Sequence, residues 1–411
     1  MRPLRLPDAR ISARHKGFPP SMFGTTGAGV VGRSGILDFL TPLLLLGQEP
    51  LRHNLLTLQQ FCAGRGLSSA PHVKTTMSPE IVNAQIEHGA WAVTVATPSQ
   101  AIALRELGAE RILLANELVE PHAIDWLAAE MADDPNFTCY CYVDSADGLD
   151  ILEKRLDGCR RPFPVLIELG IPGGRTGVRD SAHALAFAER VAASPVLELA
   201  GVGGFEGVIG GELGPRLLEE VRAYLRRLRA LADETLSGSE FIVTVGGSAF
   251  IELVGEILGP EWQAGRPVRV VLRSGCYVTH DSLGYQRFRD LVGAEYEALR
   301  FQPSLELWAS VLSCPEPGLA IVDFGKRDTG LDSGFPVPLH RLRRGSTEIE
   351  PAPPGEVFAC NDQHAYFRGG LEVGDRVGFG ISHPCTTFDK WRLFPIVDKE
   401  YRVLGTAQTM F

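Results

Sequence analysis

Short apolar runs alternate with longer amphipathic segments through the first two thirds of the chain. Between about Leu40 and Val271, runs such as FPVLIELG and EFIVTVGG indicate buried strands, and the segments between them carry apolar residues at the three-to-four spacing of helices. Many of these segments begin beside Ser, Asp or Pro and end at Gly, as helices do. Roughly eight such units in about 230 residues predict a closed (β/α)₈ TIM barrel.

The order of these runs assigns the barrel strands. LTPLLLL, residues 40–46, is predicted to be the first strand, and SSAPHVK, residues 68–74, the second, so that Lys74 would end the second strand. A doubly wound open sheet is the competing interpretation. Such a sheet usually carries G-x-G-x-x-G after its first strand, and TPLLLLGQEPL contains no such motif.

After about Tyr285 the sequence pattern changes to short β-rich runs separated by Pro and Gly clusters. This pattern predicts a second, mostly β domain. We therefore divide the chain into an N-terminal segment (1–36), a barrel (37–288) and a C-terminal β domain (289–411). The N-terminal segment is expected to pack on the β domain, either as one of its strands or as a loose arm.

Composition narrows the class of partner. The 411 residues carry a formal net charge of −10 with scattered basic residues, which excludes nucleic acids and anionic membrane surfaces and favours small molecules. Eight cysteines lack paired spacing, which indicates a reducing compartment. No secretory signal opens the sequence, and the apolar run ILDFLTPLLLLG is too short for a membrane span. We expect a cytoplasmic protein.

The segment SSAPHVKTTMSPEIV places Lys74 at a predicted strand end, just before a helix start at residues 78–80. The active sites of barrel enzymes lie at the C-terminal ends of the strands. No acidic residue lies beside Lys74 as a surface partner. Because a partly desolvated lysine loses its proton more readily, its neutral amine can attack a carbonyl. The position favours Schiff-base chemistry over a lysine that only extends into solvent.

The segment PHVKTTMSPEI resembles the lysine motif of the fold-type III pyridoxal-phosphate (PLP) enzymes. Within the alanine racemase-like superfamily, it is similar to the D-threonine aldolase and D-serine dehydratase group. Further segments match that group in order between Thr41 and Phe388: TPLLLLGQEPLRHNL, IELGIPGGRTGV, VTVGGS, SGCYVTHD, DFGKRDTGLDSG, NDQHAYF and GDRVGFGISHPCTTF. Two departures bear on substrate choice: TTMS replaces a more basic run after the lysine, and SGCYV has cysteine where serine is usual.

The resemblance implies roles for three residues around the reactive end of the cofactor. Lys74 would be joined covalently to the cofactor's aldehyde and, once displaced by an amino acid, would be free to move the α proton. His72 would line the cofactor pocket. Arg175, in GGRTGV, resembles the arginine that hydrogen-bonds the pyridoxal phenolic oxygen. A surface loop arginine is the alternative interpretation of Arg175.

The resemblance also implies a phosphate cradle at Gly246, Gly247 and Ser248, directly after FIVTV. Backbone amides and a hydroxyl can approach a dianion there because no side chain intervenes. A plain turn between strand and helix is the alternative. Tyr277 resembles a further phosphate or pocket contact, with a core tyrosine as its alternative.

SHPCTTF places His383 and Cys385 two residues apart in an extended or loop segment, so both side chains can point to one face. Imidazole and thiolate suit zinc. In the group that this chain resembles, a divalent-metal pair lies at this position, and a thiolate in second place is closer to the dehydratases than to the aldolases. We expect a divalent metal, with zinc as first choice and Cys360 as a competing ligand. His364, in NDQH, is a catalytic candidate on the same resemblance.

These features predict a PLP- and metal-dependent lyase that acts on D-3-hydroxy amino acids. Dehydration of D-serine or D-threonine to a 2-oxo acid and ammonia is the first choice, and D-threonine aldolase activity is the nearest alternative. An amino-acid racemase has no use for the metal, and a non-catalytic PLP-binding protein ends after the barrel. The resemblance further implies a homodimer in which the β domain of one subunit closes the barrel mouth of the other.

Overall fold

The computed structural model describes residues 1–7, 10–293 and 299–411. Two sheets organise these residues, one with eight parallel strands and one with ten largely antiparallel strands. The predicted (β/α)₈ barrel with a second, mostly β domain is confirmed. No helix in the described ranges is long and apolar enough to cross a membrane.

Strand β1 (Leu43–Gly47) lies in the second sheet, and the next eight strands form the barrel in sequence order. Two backbone hydrogen bonds join the segments of its first two strands and close the barrel: Trp91 N–H donates to the Ser69 carbonyl at 2.7 Å, and Thr94 N–H donates to the Pro71 carbonyl at 2.9 Å. The barrel strands are β2 (Ser68–Ser69), β3 (Val93–Val95), β4 (Arg111–Glu117), β5 (Thr138–Val143), β6 (Phe163–Leu169), β7 (Leu197–Gly204), β8 (Phe241–Val245) and β9 (Val268–Leu272).

The barrel interior is a packed layer with one side chain at or beside each strand. Because both faces of such strands are covered, strand β8 is buried at every position. The interior layer is formed by Ala70, Ala92, Leu113, Tyr142, Leu166, Ala200, Ile242 and Val271. This packing holds the strand ends rigidly, so the side chains that follow them are fixed in position.

Helices alternate with the barrel strands and start where the sequence supplies caps. Ser145 accepts the Gly148 N–H at 3.2 Å, and Asp180 accepts the His183 N–H at 3.0 Å; each cap contributes about 1 kcal/mol. The helices are α1 (Gln48–Arg65), α2 (Pro79–Glu87), α3 (Pro98–Glu106), α4 (Pro121–Asp133), α5 (Ala146–Arg155), α6 (Ser181–Ala193), α7 (Pro215–Thr235), α8 (Ile251–Ile257), α9 (Pro260–Gln263), α10 (Gly284–Gly293) and α11 (Cys385–Phe388).

The second sheet has the strand order β13-β12-β16-β10-β1-β17-β18, with β11, β15 and β14 joined to it through the long strand β10. Its strands after β1 are β10 (Leu305–Glu316), β11 (Leu319–Val322), β12 (Val337–Leu342), β13 (Ile349–Pro351), β14 (Gly355–Cys360), β15 (Ala365–Gly369), β16 (Arg376–Gly380), β17 (Leu393–Val397) and β18 (Val403–Gln408). Helix α11 lies between β16 and β17, and this segment carries the predicted metal ligands.

The expectation that LTPLLLL forms the first barrel strand is wrong. Strand β1 pairs antiparallel with β10 and parallel with β17. Its four leucines are all buried, so the run has no alternation that could distinguish one sheet from another. Lys74 therefore follows the first barrel strand and not the second. We propose that the barrel part begins with α1 and not at residue 37; the boundary at residues 288 and 289 stays a prediction.

The N-terminal segment bridges both sheets. Ile11, Phe18 and Met22 pack in a core cluster with Trp308 of the second sheet. Before them, Leu4 exchanges two hydrogen bonds with the Asn83 side chain of α2, at 2.6 and 3.0 Å. The segment is therefore anchored at the barrel and packed on the β domain, with one isolated bridge between residues 34 and 402.

Candidate active site

A cavity of about 190 Å³ lies at the C-terminal ends of the barrel strands. A larger groove of about 470 Å³ lies against the second sheet but is lined by none of the predicted site residues. We therefore place the chemistry in the smaller cavity. The predicted residues that line it are His72, Lys74, Arg175, Gly246, Gly247, Ser248, His383 and Cys385.

Lys74 stands in a short 3₁₀ turn, Val73–Thr75, that follows β2. Part of its side chain is exposed in the cavity, yet the surrounding protein removes enough water to lower the pKa of Lys74. The charge of Arg175 lowers the pKa further, and Cys385 opposes both effects. A larger share of neutral amine follows, which is the form that attacks a carbonyl.

His72 lies at the seam where the barrel closes. Its backbone N–H donates to the Arg273 carbonyl at 3.1 Å. Burial lowers the pKa of His72 well below its usual value, and nearby Lys74 acts in the same direction. The ring is therefore neutral, and its buried Nδ1 has no hydrogen-bond partner among the described residues. An orphaned polar atom in a cavity wall is a position that a polar ligand can satisfy.

The glycine turn after β8 differs from its predicted role. The N–H groups of Gly246 and Gly247 donate to the buried carboxylate of Glu206 at 3.1 and 2.6 Å. Both glycines line the cavity, but in this structure their amides hold a carboxylate, so their role as a phosphate cradle stays a prediction. Gly247 still needs to be glycine, since a Cβ there would lie 2.7 Å from the Phe205 ring. Ser248 also lines the cavity and stays a predicted phosphate contact of this turn.

Two arginines give the cavity a positive wall. The Arg175 guanidinium lies 4.7 Å from the centre of the Phe205 ring. Arg273 is buried and donates to Thr244 Oγ1 at 2.9 Å and to the Gly204 carbonyl at 2.5 Å. The sequence analysis did not select Arg273, although its position directly after β9 satisfies the same strand-end rule that selected Lys74.

The second sheet supplies the other wall of the cavity. His383 and Cys385 lie in the segment between β16 and β17, and Thr387 fixes it by donating to the His383 carbonyl at 2.8 Å and accepting the Gly330 N–H at 3.0 Å. Cys276 of the barrel lies opposite, with its Sγ 3.4 Å from that of Cys385. In the part of the chain that the structure describes, the donor atoms of these two cysteines and His383 all lie within 4.8 Å of one another.

The two thiols differ in proton affinity. The hydrogen bond with Cys276 lowers the pKa of Cys385, and His383 acts in the same direction. That hydrogen bond raises the pKa of Cys276, and burial adds to the effect. Burial by itself would lower the pKa of His383, but the hydrogen bond and charge of Cys385 outweigh it, so the His383 pKa is raised. Cys385 is therefore the thiolate of the group.

Two predicted site residues lie outside this cavity. Tyr277 is buried, and its hydroxyl accepts the Gln85 Nε2–H at 3.3 Å, which favours the core interpretation; its contact with the cofactor stays a prediction. Its neighbour Cys276 faces the cavity instead. His364 is exposed in the turn between β14 and β15 and does not line the cavity of its own chain. The catalytic role of His364 stays a prediction. Cys360, the competing metal ligand, lies in β14, outside the group formed by Cys276, His383 and Cys385.

Buried carboxylates near the cavity form a feature that sequence reasoning missed. Glu117 ends β4 and interacts with Glu168 of β6. Burial, followed by the charge of Glu168, raises the pKa of Glu117 to about 8. Glu117 therefore holds a proton at neutral pH. The sequence does contain a signal for Glu117, because an acidic residue ends the apolar run RILLANE. Strand ends are where a barrel places its active-site residues.

The cavity fits PLP, an anionic aromatic aldehyde. Lys74 supplies an amine for the aldehyde, Arg175 and Arg273 supply positive charge, and Ser248 supplies a hydroxyl. The backbone also approaches closely: a Cβ at Gly275 would lie 2.5 Å from the His72 carbonyl oxygen. Imidazole and thiol donors at the other wall fit a soft divalent metal.

Comparison with protein families divides the chain in the same way as its sheets. The family described as "Alanine racemase, N-terminal domain" matches residues 48–263, from α1 to the end of α9, just before the last barrel strand β9. The family described as "Putative serine dehydratase domain" matches residues 304–397, from β10 to β17. The second match covers the segment that carries His383 and Cys385.

Individual relatives cover nearly the whole chain. D-threonine aldolase of Arthrobacter sp is 26% identical over 80% of this chain and 80% of its own. The crystal structure of D-threonine aldolase from Filomicrobium marinum has a TM-score of 0.73 at 24% identity, over 92% of this chain and 96% of its own. D-threo-3-hydroxyaspartate dehydratase from Delftia sp. HT23 has a TM-score of 0.72 at 21% identity, over 92% and 99%. The two structures share this fold. With more than half of its residues matched by the first family, the chain belongs to the alanine racemase N-terminal domain family, in the fold-type III PLP group.

Proposed function

We propose that this protein is a PLP- and divalent-metal-dependent lyase that acts on D-3-hydroxy amino acids. Dehydration of D-serine or D-threonine to a 2-oxo acid and ammonia is its main reaction in this proposal. The observation that supports this proposal is that Lys74, His383 and Cys385 line the same cavity. An amine at one wall and a metal-binding pair at the other are what a substrate with an α-amino group and a β-hydroxyl requires.

When bound, PLP draws electron density from the substrate's Cα, and a divalent cation polarises the hydroxyl oxygen. The chain's own residues carry the remaining steps. Lys74 Nζ, with its lowered pKa, takes the proton from Cα and can hold it during elimination. Arg175 and Arg273 bring two positive charges toward the anionic ligand. The positioning of these groups before the reaction contributes as much as their chemistry.

The choice of dehydration over aldol cleavage rests on Cys385. A thiolate in second place after His383 resembles the dehydratases, whereas the aldolases carry a carboxylate there. Aldolase activity is the second candidate, because two of the relatives above are D-threonine aldolases. Retro-aldol cleavage needs a base at the hydroxyl proton, and elimination needs one at the Cα proton. Lys74 is the basic group of the cavity that we assign to Cα.

Incubation of the purified protein with D-threonine separates the two reactions. Elimination yields 2-oxobutyrate and ammonia, and cleavage yields glycine and acetaldehyde. We expect 2-oxobutyrate from D-threonine and none from L-threonine. Turnover should stop after treatment with a chelator and return with added Zn²⁺. Glycine as the main product would show that the protein is an aldolase and not a dehydratase. Absence of turnover on every D-3-hydroxy amino acid would contradict the lyase proposal.

We also propose a homodimer, as the resemblance implies. A second chain could bring its β domain, and with it the exposed His364, to the barrel mouth. Sedimentation analysis of the purified protein tests the stoichiometry, and a monomer that turns over substrate at the full rate would contradict the shared site.

A further inference from the structure

The cavity contains one more potential metal ligand than the resemblance implies. Cys276 Sγ lies 3.4 Å from Cys385 Sγ, and the donor atoms of Cys276, His383 and Cys385 lie within 4.8 Å of one another. Two thiolates bound to one tetrahedral zinc at about 2.3 Å lie about 3.8 Å apart, and a thiolate and an imidazole nitrogen about 3.6 Å apart. Side-chain adjustments of a few tenths of an ångström to about 1 Å would bring the three atoms around one ion.

We propose that Cys276 is a third protein ligand, so that the chain binds a soft divalent cation, zinc in particular, through two thiolates and one imidazole. The proposal deepens the metal requirement of the proposed function and rests on it for the role of the ion. Three protein ligands and one open position are the usual pattern of a catalytic zinc site, whereas the histidine and one cysteine would leave two positions open. Two sulfur ligands also favour zinc over magnesium or manganese.

Local charge supports this ligand set. A Zn²⁺ ion with two thiolates and a neutral imidazole carries no net charge. Lys74, Arg175 and Arg273 line the same cavity, so a neutral metal centre adds no repulsion to that positive wall. The hydroxyl of Thr75 lies 3.7 Å from Cys276 Sγ and 3.5 Å from Cys385 Sγ, which gives both sulfurs a polar neighbour. Outer contacts of this kind hold metal ligands in orientation.

The three ligands come from two parts of the chain. Cys276 starts the 3₁₀ turn after β9 of the barrel, and His383 and Cys385 belong to the segment between β16 and β17 of the second sheet. A metal ion held by all three would join the barrel to the β domain at the active site. Because such binding contributes to folding free energy, metal removal would destabilise the contact between the two sheets.

X-ray absorption at the zinc edge of the zinc-loaded holoprotein counts the sulfur ligands directly. We expect two sulfurs at about 2.3 Å in the wild type and one in Cys276→Ser. Chelator competition should show a zinc affinity lower by about 100-fold or more in Cys276→Ser, because even the loss of an outer-shell partner costs about 10- to 100-fold. Cys360→Ser, in the half-buried cysteine of β14, is the matched control and should retain both sulfurs and the wild-type affinity.

One sulfur in the wild type, or equal zinc affinity in the wild type and Cys276→Ser, would overturn the proposal. A disulfide between Cys276 and Cys385 in the freshly isolated protein, detected by mass spectrometry, would also overturn it. Circular dichroism shows whether Cys276→Ser is folded; if it is not, Cys385→Ser replaces it and should likewise lose one of two sulfurs. None of these measurements needs turnover, so two sulfurs in a protein without lyase activity would refute the proposed function and leave the ligand set standing.

Discussion

Two neighbouring turns at the barrel mouth, residues 246–248 after β8 and residues 273–276 after β9, both contain glycine and serine but make different contacts. The amides of the first turn are occupied by Glu206, whereas the second presents the Cys276 thiol to the cavity. The turns also hold each other, because Ser274 Oγ donates to the Gly247 carbonyl at 2.8 Å. Local composition therefore indicates where the backbone can approach a ligand, but not which of its groups are already satisfied.

Lys74 gives the largest expected effect, because it lines the same cavity as both turns and carries the amine of the proposed reaction. Lys74→Ala should lower turnover of D-serine or D-threonine at least about 1000-fold, since it removes both the covalent attachment and the proton carrier. Borohydride treatment of the wild type should attach the cofactor to Lys74 and leave Lys74→Ala unlabelled. Lys154→Ala on α5 is the control and should behave as the wild type. Wild-type turnover in Lys74→Ala would show that neither turn borders an active site.

Glu206 tests the first turn. Glu206→Ala leaves two backbone N–H groups without their acceptor and should lower the free energy of unfolding by about 2 to 4 kcal/mol. Urea denaturation measures this change. Glu212→Ala, on the exposed loop that follows, should stay within about 0.5 kcal/mol of the wild type. An unchanged stability in Glu206→Ala would mean that the two amides have another partner, such as the phosphate of a bound cofactor.

The two serines of the turns form a matched pair. Ser248 lines the cavity, and its Oγ also accepts the Cys276 N–H at 3.1 Å, whereas Ser274 Oγ is engaged by the Gly246 and Gly247 carbonyls. Ser248→Ala should weaken PLP binding about tenfold, which corresponds to about 1.4 kcal/mol for one hydrogen bond to a charged group. Ser274→Ala should leave PLP affinity within about twofold and reduce stability by about 1 kcal/mol. Fluorescence titration of the cofactor-free protein with PLP compares them, and equal affinities would remove the distinction between the turns.

Glu117 gives the smallest effect and tests a third strand end. Its raised pKa means that the folded protein keeps a proton that the unfolded chain releases near pH 4.3. The free energy of unfolding should therefore fall as pH rises from about 4.3 to about 8 and then level off. Glu117→Gln should flatten this fall and be more stable than the wild type at pH 8, because the amide carries no proton to lose. Glu198→Gln, exposed on β7, should keep the wild-type slope; an equal slope in Glu117→Gln would contradict the assignment.

The sequence predicted the residues whose chemistry follows from their place at a strand end. Lys74 and Ser248 line the cavity because barrel strands in sequence order bring their C-terminal ends to one mouth. His383 and Cys385 could be paired because they are two residues apart. Cys276 could not be joined to them, because it lies more than a hundred residues away and only the contact between the two sheets brings it near. Cys276 and not Tyr277 lines the cavity, because neighbouring residues of a 3₁₀ turn point in different directions.

Periodicity and the strand-end rule were thus sufficient for the barrel, the β domain and the position of Lys74, since these depend on local pattern and on a regular chain path. Most of the other cavity residues were predicted from the resemblance to the PLP group. Only the tertiary structure decided which sheet contains β1, because a strand that is buried on both faces can pair in either sheet. It also decided that Glu206 occupies the glycine turn and that a second thiol faces Cys385. These outcomes depend on side chains from distant segments that meet only after folding, and a linear pattern contains no distance between them.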